Sequence, residues 1–231
     1  VPKKEKKLKR KKLLLKNHLP KNHLPKNHLP KNHLPKKENK TVTEIQKDFH
    51  HIISEGLGLD MSDPNLKDTP KRLEKMYKDF VKNTDKPFKG LTVFPNSDGY
   101  DQIILLDTIH FTSICSHHFI PFAGKAWFAY IPDELLLGAS KPARVIEHYA
   151  ARPQLQENLC QQVVKFISKQ LKPLGIMLVM RAIHGCMSCR GIYQYHGAGM
   201  MTSSITGIFK ENKAPHDEVM DLIKMSIMME K

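Results

Sequence analysis

The sequence is short of several things, and each shortage removes a class of protein. Four Cys in 231 residues are too few for a disulfide scaffold, so a reducing compartment, the cytoplasm, is expected. No apolar run approaches the roughly 20 residues that span a bilayer, so no membrane partner is expected. No basic, apolar and small-residue leader pattern is visible, although the first residue is Val1 rather than Met. The first 40 residues contain no Phe, Tyr or Trp and almost no acid: they hold 15 basic and 2 acidic side chains, against 22 and 21 in the other 191. Nearly all of the formal charge of +14 therefore belongs to this stretch. A basic chain suggests a nucleic-acid partner, but bases have no aromatic ring to stack on here. Nucleic acid is not expected.

Within those 40 residues, KKEKKLKRKK at 3–12 is a like-charge block that repels itself and stays solvated. KNHLP then repeats four times over 16–35. A proline at every fifth position blocks a helix, and five residues match no solenoid period. Residues 1–40 read as a disordered low-complexity tail. Two sharper readings stand beside this one: a nuclear-import or nucleic-acid patch in the Lys run, the former adding the nucleus as a compartment, and weak metal capture by His18, His23, His28 and His33.

Residues 41–231 read as one globular domain. Ile45, Phe49, Ile52 and Ile53 share a helical face that ends at Gly56 and Gly58. A second helix opens with Thr69 as cap and Pro70 in its first turn, and carries Leu73, Met76, Tyr77 and Phe80. Apolar runs at 102–106, 126–131 and 176–183 read as strands. Helices are expected from Ser140, from near Pro153 to Pro173, and around Val219, Leu222, Ile223 and Ile227. Helices alternating with hairpin-like strands make the class α+β.

The chemistry gathers in two segments. SICSHHF holds Cys115, His117 and His118; HGCMSCRG holds His184, Cys186, Cys189 and Arg190. Thiolate plus imidazole is a zinc ligand set, and three protein ligands with one open position make a catalytic arrangement. Cys115 and His118, at i, i+3, fit one tight turn. His184 and Cys186, at i, i+2 on a strand end, point to one face. That gives Cys115, His118 and Cys186 as ligands, with His117 and His184 beside them. Water on such an ion ionises near pH 7, where histidine also titrates. Two blander readings compete: a closed structural cage completed by Cys189, or small buried cysteines with satisfied core histidines. In GASKPARVIE, Ser140 caps a helix carrying Lys141 and Arg144 at i, i+3, a phosphate site to which Arg190 adds a planar fork. The competing reading is a solvated basic face. Gln156 and Glu157, on the opening turns of a later helix, are a pair able to read the donor edge of guanine, although a solvated pair is commoner.

In order and spacing, SICSHHFIPFAGKAWFAYIP, GASKPARVIE, RPQLQENL and HGCMSCRG, with DTPKRLEKMY before and TGIFKEN after, resemble GTP cyclohydrolase I over about residues 43–228. The resemblance implies a tunnelling fold (T-fold): an antiparallel sheet with helices on one face, closing into an oligomeric barrel, with pentamers paired in a homodecamer. It implies conversion of GTP to 7,8-dihydroneopterin triphosphate and formate, the first step of tetrahydrofolate or tetrahydrobiopterin synthesis. It also implies Zn2+ on Cys115, His118 and Cys186, with His117 and His184 as proton-transfer residues. Glu157 and Gln156 match the guanine-holding pair, Lys141, Arg144 and Arg190 the triphosphate contacts, and Ser140 the residue near the ribose. A feedback regulatory protein is a candidate partner, and sites built across subunits would explain the scatter of motifs.

The sequence departs from the family pattern at several positions. Ser116 replaces a glutamate, Pro142 follows Lys141, Arg181 stands where an acid is usual, and Cys189 takes an apolar position. A run of alternating hydroxyls is reduced to Ala198, Met200, Thr202 and Ser203. These motivate a second reading, a catalytically weak paralogue acting as a regulatory or structural subunit.

Overall fold

In the computed structural model, residues 42–193 and 199–229 are described. The expectations for the basic tail, the KNHLP repeats and Ala198 lie outside them. The chain divides into two units, residues 1–45 and 46–231, and the strands among the described residues lie in the second. In chain order the elements are α1 (Val42–His51), which runs on into a π-helical turn (Ile52–Gly56), α2 (Thr69–Val81), β1 (Val93–Pro95), β2 (Ile104–Cys115), β3 (Pro121–Ile131), β4 (Leu135–Leu137), α3 (Lys141–Ala150), β5 (Pro153–Gln154), α4 (Gln156–Leu171), β6 (Gly175–His184), α5 (Gly185–Ser188), β7 (Met200–Gly207), α6 (Ile208–Glu211) and α7 (Lys213–Met229).

The main sheet has the order β5-β2-β3-β6-β7, and β1 pairs with β4 in a separate ladder. Neighbours run antiparallel except β5, which lies parallel to β2. The sheet is therefore mixed, not purely antiparallel. Strands β2 and β3 outrun the apolar stretches expected at 102–106 and 126–131. An irregularity between Leu106 and Ile109, with Thr108 at φ 45°, shifts the register of β2. Such a bulge breaks the period-2 alternation on which a strand is recognised. Helix starts also differ in detail. Thr69 is the first residue of α2 and Asp68 precedes it as N-cap. Pro153 lies in a two-residue strand, and α4 begins at Gln156.

Alternation along β3 divides the core in two. Phe122, Ala126, Phe128 and Tyr130 pack with Val145 and Ile146 of α3 and with Leu159, Val163, Val164 and Ile167 of α4. Trp127, Ala129 and Ile131 face the other way, with Met177 and Val179 of β6, and are covered by Phe209, Val219 and Ile223. The expectation of helices on one face is thus corrected: α6 and α7 pack on the face opposite α3 and α4. The cause is β6, which is buried without a break from Gly175 to Met180. A strand apolar on both faces needs cover on both. Each of these large apolar side chains stabilises by about 1.5–3 kcal/mol when fully buried, so an uncovered face would be costly.

The register also sets where the chemistry meets. Ile114, next to the end of β2, pairs with Pro121, and Phe122 pairs with His184 at the end of β6. The two motif-bearing strand ends therefore flank the start of β3, although about 70 residues separate them in sequence.

Candidate metal centre

Cys115 is the last residue of β2 and is buried. The chain after it closes a tight loop: Cys115 N–H donates to Ile120 O at 3.0 Å and Phe119 N–H to Cys115 O at 2.9 Å. Phe119 takes a left-handed conformation, φ 52°, and its ring leans on Tyr77 of α2 at 6.2 Å between centroids. This loop carries His118. From the other side, β6 ends at His184 and the chain turns at once into α5, bringing in Cys186. Gly185 allows that turn. A Cβ there would overlap the Ile120 side chain and approach Pro121 O to 2.9 Å.

Donor atoms of Cys115, His118 and Cys186 all lie within 4.8 Å of one another. A tetrahedral ion with bonds of about 2.0–2.3 Å spaces its donors by roughly 3.3–3.8 Å, so a small inward movement closes this set on a metal. Burial, then the neighbouring Cys115 thiol, push the Cys186 thiol above its ordinary value, and Arg190 opposes them. A soft divalent cation binds the thiolate and displaces the thiol proton. The donors fit a metal. Cys189 stands outside the group: exposed, with its thiol donating to Gly185 O at 2.7 Å. The strand-alternation argument for His184 and Cys186 fails because the strand stops at His184 and a helical turn follows.

His184 is 8% exposed. Its ring lies flat on Phe122, 4.4 Å between centroids and 4° between planes, and Nε2 is 2.9 Å from Gln156 Oε1. Burial holds this imidazole below its ordinary pKa, and Glu157 opposes the shift. Glu157 itself is exposed on α4, whereas Gln156 beside it is buried. Sequence reading missed the role of Phe122 and the grip of Gln156 on His184. Their signal is the pairing of β3 with β6, which no local pattern states.

The remaining site candidates lie further apart. His117 is exposed, 6.4 Å from His118 between ring centroids. Arg190 is exposed at the end of α5. Ser140 precedes α3 but makes no side-chain capping bond, contrary to expectation. Its backbone is already helical, φ −79° and ψ −8°, whereas a capping side chain works from an extended residue. Lys141 Nζ donates to Gly90 O at 2.9 Å, and Arg144 is exposed. Among the described hydrogen bonds and ion pairs, none joins Ser140, Lys141 or Arg144 to the thiol and imidazole group. Arg181, which stands where the family pattern has an acid, belongs to the sheet face opposite His184: it pairs with Lys125 and Met201 across the strands, three positions from His184 on β6 and so of opposite parity.

Fold and donors together define a class, an α+β protein with a thiol–imidazole group able to hold a metal ion at the joined ends of two sheet strands. Residues 45–224 match the family model described as GTP cyclohydrolase I. The chain belongs to the GTP cyclohydrolase I family and is an enzyme of the hydrolase class. It is 38% identical over 172 residues to GTP cyclohydrolase 1 of Sulfurihydrogenibium sp. (strain YO3AOP1), covering 74% of this chain and 90% of that one. It is 40% identical over 175 residues to GTP cyclohydrolase 1 of Bacillus subtilis (strain 168), again covering 74% and 90%. Among solved structures it is similar to an archaeosine synthase QueF-like protein in the apo form, at TM-score 0.38 and 15% identity over 46% of this chain and 94% of that one, a likeness too partial to bear on the site. No helix among the described residues is long and apolar enough to cross a membrane.

Proposed function

We propose that the protein opens the imidazole ring of GTP hydrolytically, releasing formate and forming 7,8-dihydroneopterin triphosphate, at the head of tetrahydrofolate or tetrahydrobiopterin synthesis. The observation that carries this reading is the convergence of Cys115, His118 and Cys186 beside a buried histidine, in a chain of this family. Zn2+ suits two thiolates and an imidazole, and when bound it supplies an activated water near neutral pH and a Lewis acid at the purine.

The protein's own groups do the rest. Glu157, exposed at the start of α4, accepts from the guanine donor edge; Gln156, matched to the same pair by the resemblance, lies buried beneath it with its amide already engaged within the protein. Lys141, Arg144 and Arg190 neutralise the triphosphate, and Ser140 lies near the ribose. His184 and His117 move protons as the ring opens, formate leaves and the ribose carbons rearrange to close the pterin. The scatter of the phosphate, guanine and thiol motifs along one chain suits a site completed by neighbouring copies. That agrees with a T-fold barrel of pentamers paired into a homodecamer, working in the cytoplasm and open to a feedback regulatory protein. Residues 1–40 serve as an extension outside the catalytic domain.

The alternative of a catalytically weak paralogue loses support, because Arg181 projects from the sheet face opposite His184. The deciding measurement is direct. Zinc-loaded protein given GTP is expected to release formate and, after oxidation, a fluorescent pterin. A loaded protein that produces neither overturns the enzyme reading.

A further inference from the structure

Gln156 opens α4 with its side chain buried, 1% exposed, and all of its polar capacity engaged. Its Nε2 donates toward Met180 O at 3.2 Å, Met200 O at 3.1 Å and Thr202 Oγ1 at 3.0 Å. Two of these acceptors are backbone carbonyl oxygens, which only accept. Turning the amide over would set Oε1 against both, acceptor against acceptor in a buried site, so its orientation is fixed by the network. Oε1 therefore faces His184 Nε2, at 2.9 Å. A carbonyl oxygen cannot donate, so the hydrogen in this bond belongs to the histidine. That holds for the neutral ring and for the cation alike.

We propose that Gln156 is a positioning residue that keeps His184 Nε2 protonated throughout, leaving Nδ1 as the one nitrogen that exchanges a proton with the substrate. A histidine free to choose its tautomer presents a lone pair at either edge of the ring, and only one edge can serve a fixed substrate. The stack on Phe122 fixes the ring plane. The amide of Gln156, tied to β6 and β7 through Met180 and Met200, fixes which edge of that plane carries the permanent hydrogen. This gives Gln156 a task distinct from reading guanine, which falls to the exposed Glu157.

The inference rests on His184 as a proton-transfer residue, but its central claim can be read without turnover. Zinc-loaded protein labelled with 15N-histidine is examined by solid-state NMR, with the His184 signals identified by their loss in His184→Gln. The neutral ring is expected to show a pyrrole-type Nε2 and a pyridine-type Nδ1. In Gln156→Met the tautomers are expected to mix and kcat to fall about 10–100-fold, with KM for GTP nearly unchanged. In Gln156→Glu, held as the neutral acid, one carboxyl oxygen still accepts from Nε2–H while the protonated one donates to the Met180 and Met200 carbonyl oxygens, so the wild-type tautomer and part of the lost kcat should return. A pyrrole-type Nδ1 in the wild-type spectrum overturns the proposal, even if neither variant folds. So does a Gln156→Met protein with the tautomer intact and only KM raised, which would make Gln156 a guanine contact. A wild-type protein that shows the expected tautomer but turns over no GTP would remove the cyclohydrolase reading, while the nitrogen assignment stands on the spectrum.

Discussion

His184 and Cys186 are two residues apart, yet β6 ends between them and their surroundings differ. Cys186 sits among the metal donors, and His184 is held by Phe122 and Gln156. Replacing each should therefore fail differently. Cys186→Ala removes one of three donors and is expected to lose both bound zinc and activity. His184→Ala leaves the donors untouched and is expected to retain stoichiometric zinc while turnover falls by about 10²–10⁴-fold. Metal analysis beside the formate assay checks both; a His184→Ala protein stripped of zinc would make the imidazole a ligand. Much of this was legible in the sequence. Cys115 and His118 lie within one turn, and the donor set inferred from spacing is the set that converges. The grip on His184 was not legible, because it depends on which residue of β3 lies opposite which residue of β6. A single sequence carries no mark of that register.

At the scale of elements, α7 was found by spacing but set on the wrong sheet face by the resemblance, and a short polar chain anchors it. Trp127 Nε1 donates to Ser226 Oγ at 3.1 Å, and Ser226 Oγ in turn donates to Asp107 at the β2 bulge. Burial pushes the Asp107 carboxyl up, but bonds from Ser226, Thr108 and Trp127 outweigh it and hold the group below its ordinary 3.8. A depressed folded value means the contribution is present above 3.8 and is lost as pH falls through the lower folded value. Thermal midpoints of wild-type and Asp107→Asn proteins should therefore converge at the acid end of a pH series and separate above about pH 4. Parallel curves would remove the anchor from the account. The clue to cover on both faces was present in IMLVM at 176–180, an unbroken apolar run where a half-exposed strand would alternate. By contrast α2, α3 and the body of α4 were legible from 3.6-residue periodicity, since nothing interrupts their apolar stripes. The bulge in β2 is a local insertion that no alternation rule anticipates.

Across the whole molecule, the charge imbalance and the match to the family fall on different parts of the chain. The excess of cations lies within the first 40 residues, and the family match begins at residue 45. Composition made that division legible because like charges and regularly spaced prolines oppose a packed core. Assembly into a barrel was suggested by the resemblance alone, since intersubunit edges leave no periodic mark in one chain. The four thiols are spread across distinct environments: two among the metal donors, one exposed at Cys189, and one at Cys160, buried and pushed up to about 12 by that burial. Thiolate, not thiol, attacks an aromatic disulfide reagent. The protein thus reports its own metal content by counting. Zinc-loaded native chains should release one equivalent of chromophore, from the exposed Cys189, chelator-treated chains more than one as the half-buried Cys186 is freed, and denatured chains all four. Two or more equivalents released at once from loaded protein would show that Cys115 or Cys186 is not held by the ion. The same colorimetric count would then serve to follow zinc loading, and its loss under oxidative stress, without any substrate at all.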